Sequence, residues 1–194
     1  MHKTKSGFTI VELLIVIVVI GILAAITIVA YNGIQQRAQN SQTASAVKQY
    51  YQALIAYKVD HGAYPIQASA CLGTGYPNDR CWQENSSAPS NTVLNNALKT
   101  YMGDNLPNPS VKMVNIGTNY NFYRGGILYQ YVPSRTLDGQ PSPYALSYYL
   151  QGDVKCPVGP IAGPGLTSTT PVSGRTEFFA GAEGPQCVIP LPTP

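Results

Sequence analysis

The residues equipped for chemistry are four cysteines, one histidine beyond the first few positions, and a handful of dispersed carboxylates. Catalysis needs a nucleophile or acid held against a base, and His61 has no Ser/His/Asp or paired-acid arrangement around it. Asp138, Asp153, Glu177 and Glu183 each stand alone among glycines and prolines and at most suggest a weak calcium site. A zinc centre is disfavoured, because the C-x2-C spacing is absent and His61 has no cysteine near it. Neither an enzyme nor a cofactor or resident metal is expected.

What the cysteines can do is bridge. Cys71, Cys81, Cys156 and Cys187 all follow a long apolar segment, and an even number beyond such a segment argues for disulfides in an oxidising compartment. Four cysteines allow three pairings. Cys71 with Cys81 and Cys156 with Cys187 is favoured, since each closes a loop rich in Gly, Pro and Ser that has little core of its own.

The remaining reactive group is Glu12. It stands at the leading edge of an apolar run, Leu13 to Ala30, broken only by Gly21 and Thr27, with no other charge before Arg37. A helix crosses a bilayer in ~20 residues, so this run is long enough. A carboxylate at its edge is costly in lipid and marks a functional position. An ordinary secretory signal has a shorter apolar core of about 7 to 15 residues and a small-x-small cleavage site, which is not found here. A simple signal anchor would tolerate everything except the placement of Gly7 and Glu12.

Lys3-Thr-Lys-Ser-Gly7, then Phe8-Thr-Ile-Val-Glu12-Leu and an unbroken apolar run, resembles the class III signal peptide of type IV pilins and pseudopilins. The resemblance covers residues 3 to 65 and rests on leader length, Gly7, Phe8, Glu12 and the helix that follows. It implies cleavage after Gly7 by a prepilin peptidase on the cytoplasmic side, and N-methylation of Phe8 as the new terminus. Glu12 would pair with the terminal amine of a neighbouring subunit during assembly. Physical chemistry favours such a pairing on its own account, because a carboxylate among apolar groups is tolerated once a cation and hydrogen bonds satisfy it.

From Ile34 the helical pattern continues but turns amphipathic. Ala44, Val47, Tyr51, Leu54 and Lys58 form one stripe, and Ala46, Tyr50, Ala53 and Tyr57 a second about 80° round. The combined arc is wider than one sheet requires, so the expectation is that the protein's own sheet covers one stripe and neighbouring subunits the other. Gly62 and Pro65 end the helix. His61 reads as a helix-terminal residue favoured by the dipole.

Beyond it, residues 66 to 120 read as a long connector containing one helix, Asn91 to Met102, capped by Ser90 or Asn91 and closed by Gly103. Strand signals run from Tyr120 to Val132 with an interruption at Gly125-Gly126, and from Tyr144 to Leu150. A fourth is read from Thr176 to Ala180 together with Val188-Ile189. Between Cys156 and Cys187 glycine and proline are too dense for continuous secondary structure, which resembles the disulfide-bounded loop of type IV pilins.

Net charge is +3, of which Lys3 and Lys5 supply two, leaving +1 beyond the leader. Charged residues make up 11%, against ~25% in average soluble proteins, with amides, hydroxyls and tyrosines in their place. Lys48, Lys58, Lys99, Lys112 and Lys155 are scattered, so no specific nucleic acid is expected.

The fold class expected is α+β, a long N-terminal helix packed on an antiparallel sheet of three or four strands, the type IV pilin fold. The organisation expected is a leader over 1–7, an apolar transmembrane and filament-core helix over 8–33, an amphipathic continuation over 34–60, and a head over 61–194 with its loop at 156–187. The resemblance implies a structural subunit of an extracellular pilus, or alternatively a pseudopilin of a type II secretion or DNA-uptake system. Its implied partners are copies of itself, prepilin peptidase, the pilus assembly platform and motor, minor pilins, and the cytoplasmic membrane before export to the cell surface.

Overall fold

The computed structural model describes residues 7–67, 69–83, 89–115, 123–137, 140–157 and 183–192. The chain divides into two compact units, 1–38 and 39–194. A 52-residue helix, α1 (Ile10–His61), belongs to both.

In the first unit the described large apolar side chains of α1 are solvent-exposed, from Val19 at 47% to Ile10 at 85%. No proline interrupts the segment, so its backbone N–H and C=O groups can bond one another within the helix, and nearly every side chain on it is Leu, Ile, Val or Ala.

The second unit is built on a four-stranded antiparallel sheet, β1 (Ser69–Leu72), β5 (Ile127–Tyr131), β8 (Tyr144–Tyr149) and β9 (Gln186–Pro190), in the order β1-β5-β8-β9. Register is fixed by pairs such as Cys71↔Leu128, Tyr129↔Leu146 and Leu146↔Ile189. Strand residues alternate between two faces. One face presents Ala70, Leu72, Ile127, Tyr129, Leu146, Tyr148 and Ile189 to a single core, which Ala46, Val47, Tyr50, Ala53 and Leu54 of α1 complete.

A second helix, α2 (Thr92–Met102), adds Leu94 and Leu98 to that core. Asn91 caps it, its side chain accepting from the Leu94 N–H at 2.8 Å, and Gly103 closes it at φ +83°. Both caps lie where the turn residues place them. Gly62, at φ +75°, ends α1 by donating its N–H to the Lys58 carbonyl at 2.8 Å.

The two stripes on α1 are not divided as expected. Val47 and Leu54 from one, and Ala46, Tyr50 and Ala53 from the other, are buried together in the unit's own core, with Thr43 beside them. Ala44, Tyr51 and Ile55 are left half-buried along the margin. The sheet and α2 together form a surface wide enough to cover both stripes, a width that the helix pattern alone does not disclose.

Polar side chains bind the first turns of this half of α1 to the head. Asn40 donates to the Gln151 carbonyl and accepts from the Gln151 N–H, both at 2.9 Å, so one amide copies both bonds of a strand partner. Gln151 also donates to Gln39, Thr43 accepts from the Ser110 N–H at 3.1 Å, and Gln42 donates to the Asn108 carbonyl at 3.0 Å. At the far end Lys58 donates to the Pro192 carbonyl at 2.8 Å.

The other face of the sheet carries Cys71, Leu128, Gln130 and Ser147, all buried. Tyr76 lies against Gly126, which has φ +65° and no space for a Cβ. The Tyr76 hydroxyl donates to the Leu72 carbonyl at 2.5 Å and accepts from the Ile127 N–H at 3.3 Å, bridging the end of the β1–β5 pair. Beside it, Cys71, Cys81 and Leu128 form a small buried cluster. Further along, buried Gln130 accepts from Arg135 at 3.0 Å and from Ser147 at 3.2 Å.

Short pairs complete the unit. A three-stranded sheet is made by β2 (Trp82–Gln83), β4 (Tyr123–Arg124) and β3 (Val114–Asn115) in the order β2-β4-β3, and β6 (Thr136–Leu137) pairs with β7 (Gln140–Pro141). The interruption expected at Gly125-Gly126 falls between β4 and β5. The connector reading of 66 to 120 is corrected by β1, β2 and β3. Ser-Ala-Cys-Leu carries no β-branched residue, and it becomes a strand because β5 supplies its ladder. The strand expected at Thr176 to Ala180, and most of the loop between Cys156 and Cys187, lie outside the described residues.

Candidate assembly site

Gly7 and Phe8 precede the helix and are exposed, Phe8 at 87%. Thr9 is its N-cap: its carbonyl accepts the Leu13 N–H at 3.2 Å, the first turn of α1. The Thr9 hydroxyl accepts from the Glu12 N–H at 3.3 Å and donates to Glu12 Oε2 at 2.7 Å, while the Thr9 N–H donates to the same oxygen at 2.9 Å. This is a capping box, in which a hydroxyl residue and an acid three positions later satisfy each other's groups. Glu12 is therefore held by its own chain at the start of the helix. The Thr-x-x-Glu spacing directly before an apolar run is the sequence signal for Thr9.

Within α1, an 18-residue window near the N-terminus has mean hydropathy 3.3 and is 0% buried. By length and composition it is apolar enough to cross a membrane. The site thus has three parts in chain order: an exposed Gly7-Phe8 step, a capped acid, and an apolar helix whose most hydrophobic window is 0% buried.

The other candidate residues belong to the second unit. Cys71 is bonded to Cys81 and Cys156 to Cys187, with Cα atoms 5.7 and 5.8 Å apart, both in the second unit. Cys71, Cys81 and Cys187 are fully buried. His61 stacks on Tyr57, ring centroids 4.0 Å apart, and its Nδ1 lies 3.0 Å from the Tyr57 carbonyl. Tyr101 stands edge-on to Tyr57 and donates to Asp60 at 2.9 Å. These contacts place His61 at the end of α1 in an aromatic cap. Among the described residues no group of three His, Cys, Asp or Glu side chains could hold a metal ion.

A family described as "Prokaryotic N-terminal methylation motif" matches residues 2–28. The N-terminal segment carries a prepilin-type motif. A type IV major pilin protein, PilE1, of Neisseria gonorrhoeae is 34% identical over 79 residues, 41% of this chain and 48% of that protein. A fimbrial protein of Neisseria meningitidis serogroup B is 38% identical over 65 residues, 34% of this chain and 38% of that protein. Type II secretion system core protein G of Pseudomonas aeruginosa is 31% identical over 88 residues, 43% of this chain and 62% of that protein. The chain spans about half the length, or less, of the pilins it matches. No solved structure matches it. The long helix packed on an antiparallel sheet is consistent with the type IV pilin fold.

The prepilin-type motif and the geometry cover the same residues. Its 2–28 span holds the Gly7-Phe8 step, the Thr9–Glu12 box and the first part of the uncovered helix.

Proposed function

We propose that the chain is a structural subunit of an extracellular type IV pilus. Prepilin peptidase removes residues 1–7 by cutting between Gly7 and Phe8, and Phe8 becomes the N-methylated terminus. The helix over 8–33 holds the subunit in the cytoplasmic membrane and then becomes filament core. The stretch 34–60 carries the head, 61–194, to the filament surface. Glu12 pairs with the amine of the neighbouring subunit's terminus and so sets register.

The observation that carries this reading is the coincidence of the methylation motif with an apolar helix whose most hydrophobic window is 0% buried. A Leu/Ile/Val helix leaving lipid gains stability by covering itself with similar helices. The assembly platform, its motor and minor pilins are the partners this route requires, and no catalytic step is assigned to the chain.

A second reading, a pseudopilin in a shorter secretion fibre, is favoured by the likeness to core protein G, of which 62% is covered. Electron microscopy of sheared surface material, from cells expressing the chain with a peptidase and assembly platform, separates the two. Long filaments containing the chain support the pilus reading. Short or cell-bound fibres support the secretion reading, and no polymer of either kind overturns both.

A further inference from the structure

We propose that Thr9 is a positioning residue for subunit pairing, holding the Glu12 carboxylate through one oxygen so that the other meets the incoming amine. The inference rests on the filament-subunit reading and adds to it a residue whose side chain acts only through Glu12.

The argument lies in which atoms are used. Among the described residues, Thr9 supplies the hydrogen bonds to the Glu12 carboxylate, and both fall on Oε2, from the hydroxyl at 2.7 Å and the backbone N–H at 2.9 Å. Oε1 keeps its lone pairs. A glutamate on an exposed helix start would otherwise sample many rotamers, and freezing them at the moment of pairing costs free energy. With Oε2 already bound, that ordering is done before the neighbour arrives. The same two bonds lower the penalty of a carboxylate at the edge of lipid, where unsatisfied oxygens are expensive. Capping and pairing are therefore compatible, since they use different oxygens of one group.

One hydroxyl performs two tasks, accepting from the Glu12 N–H at 3.3 Å and donating to the carboxylate. Substitutions separate them. Thr9→Ser keeps both. Thr9→Val keeps the shape and loses both. Thr9→Gly keeps most of the helix-capping strength and has no side-chain donor.

The test is assembly of the full chain in cells carrying a prepilin peptidase and platform, with the mass of the N-terminal peptide, the membrane level of the subunit and the filament yield measured together. The expected result is normal cleavage and membrane level for all three variants, with filament yield near wild type for Thr9→Ser. Thr9→Val and Thr9→Gly should each fall about tenfold, the equivalent of one charge-assisted hydrogen bond. Wild-type yield from Thr9→Val overturns the inference. So does wild-type yield from Thr9→Gly, which would mean that only helix capping is needed, and so does a cleavage defect in Thr9→Val, which would move its role to processing. Absence of filaments from the wild-type chain itself would instead overturn the subunit reading, and this inference with it.

Discussion

The two parts of α1 are the same secondary structure held for different reasons. Over residues 10–34 every position is compatible with a helix, and among the described residues no large apolar side chain is buried. Over 39–61, Val47, Tyr50 and Leu54 are fully buried, and amides at Gln39, Asn40 and Gln42 reach the head's backbone or side chains. The first part takes its stability from its own hydrogen bonds and from whatever apolar medium surrounds it. The second takes it from packing, as most helices in globular proteins do. Continuity of a helix thus says little about where a folding unit ends, whereas burial says much.

Substitutions that act on one part only are the way to break this comparison. Glu12→Ala has the largest expected effect: cleavage continues, filaments are lost, and thermal unfolding of the head is unchanged. A shift in head stability would show that the two parts are not independent. Leu54→Ala is the reciprocal change, costing the head about 2–5 kcal/mol by removing buried methyl groups and leaving a cavity. Cleavage at Gly7 should continue in that variant, and circular dichroism of the full chain in detergent reads the stability loss.

Replacing Cys71 and Cys81 together by serine removes the constraint on a short loop, costing ~3 kcal/mol by chain entropy. Tyr76→Phe sharpens the picture of that loop at lower cost. It deletes the hydroxyl between Leu72 and Ile127 and leaves both backbone groups with one partner fewer, which should cost about 1–2 kcal/mol in the same unfolding measurement.

The smallest effect is in alkali. Burial, with Tyr51 nearby, pushes the Tyr64 hydroxyl up to about 12, and burial raises Tyr50, Tyr76 and Tyr129 as well. A raised pKa means that the folded state holds the proton more tightly than the unfolded chain. The contribution of Tyr64 is therefore full below its ordinary value of 10.0 and is lost as pH rises through about 12. Arg135 works in the opposite direction. Burial draws it down to about 10 from 12.5, so the fold loses that charge first and regains stability over the same range. With several tyrosines against one arginine, the head should lose stability above pH 10, and tyrosinate absorbance should rise together with unfolding. Tyrosinate appearing while the fold stays intact would contradict this balance.

The sequence disclosed what is decided locally. The caps of α2 at Asn91 and Gly103, the stop at Gly62, and the runs that become β5 and β8 are all written in adjacent residues. What it concealed depends on partners distant in the chain. Ser69–Leu72 is a strand because β5 lies beside it, and both stripes of α1 are covered because α2 joins the sheet. At the candidate assembly site, spacing singles out Gly7, Phe8 and Glu12. Thr9 was legible too, but only if the acid is first asked which donors its own chain offers.

The central claim is that the chain begins its working life at Phe8, with everything before it removed so that the helix can leave the membrane. The mass of the N-terminal peptide of the native protein tests this most directly. The account predicts a peptide that starts at Phe8 and carries one added methyl group. A peptide that still holds Met1 to Gly7 would contradict it.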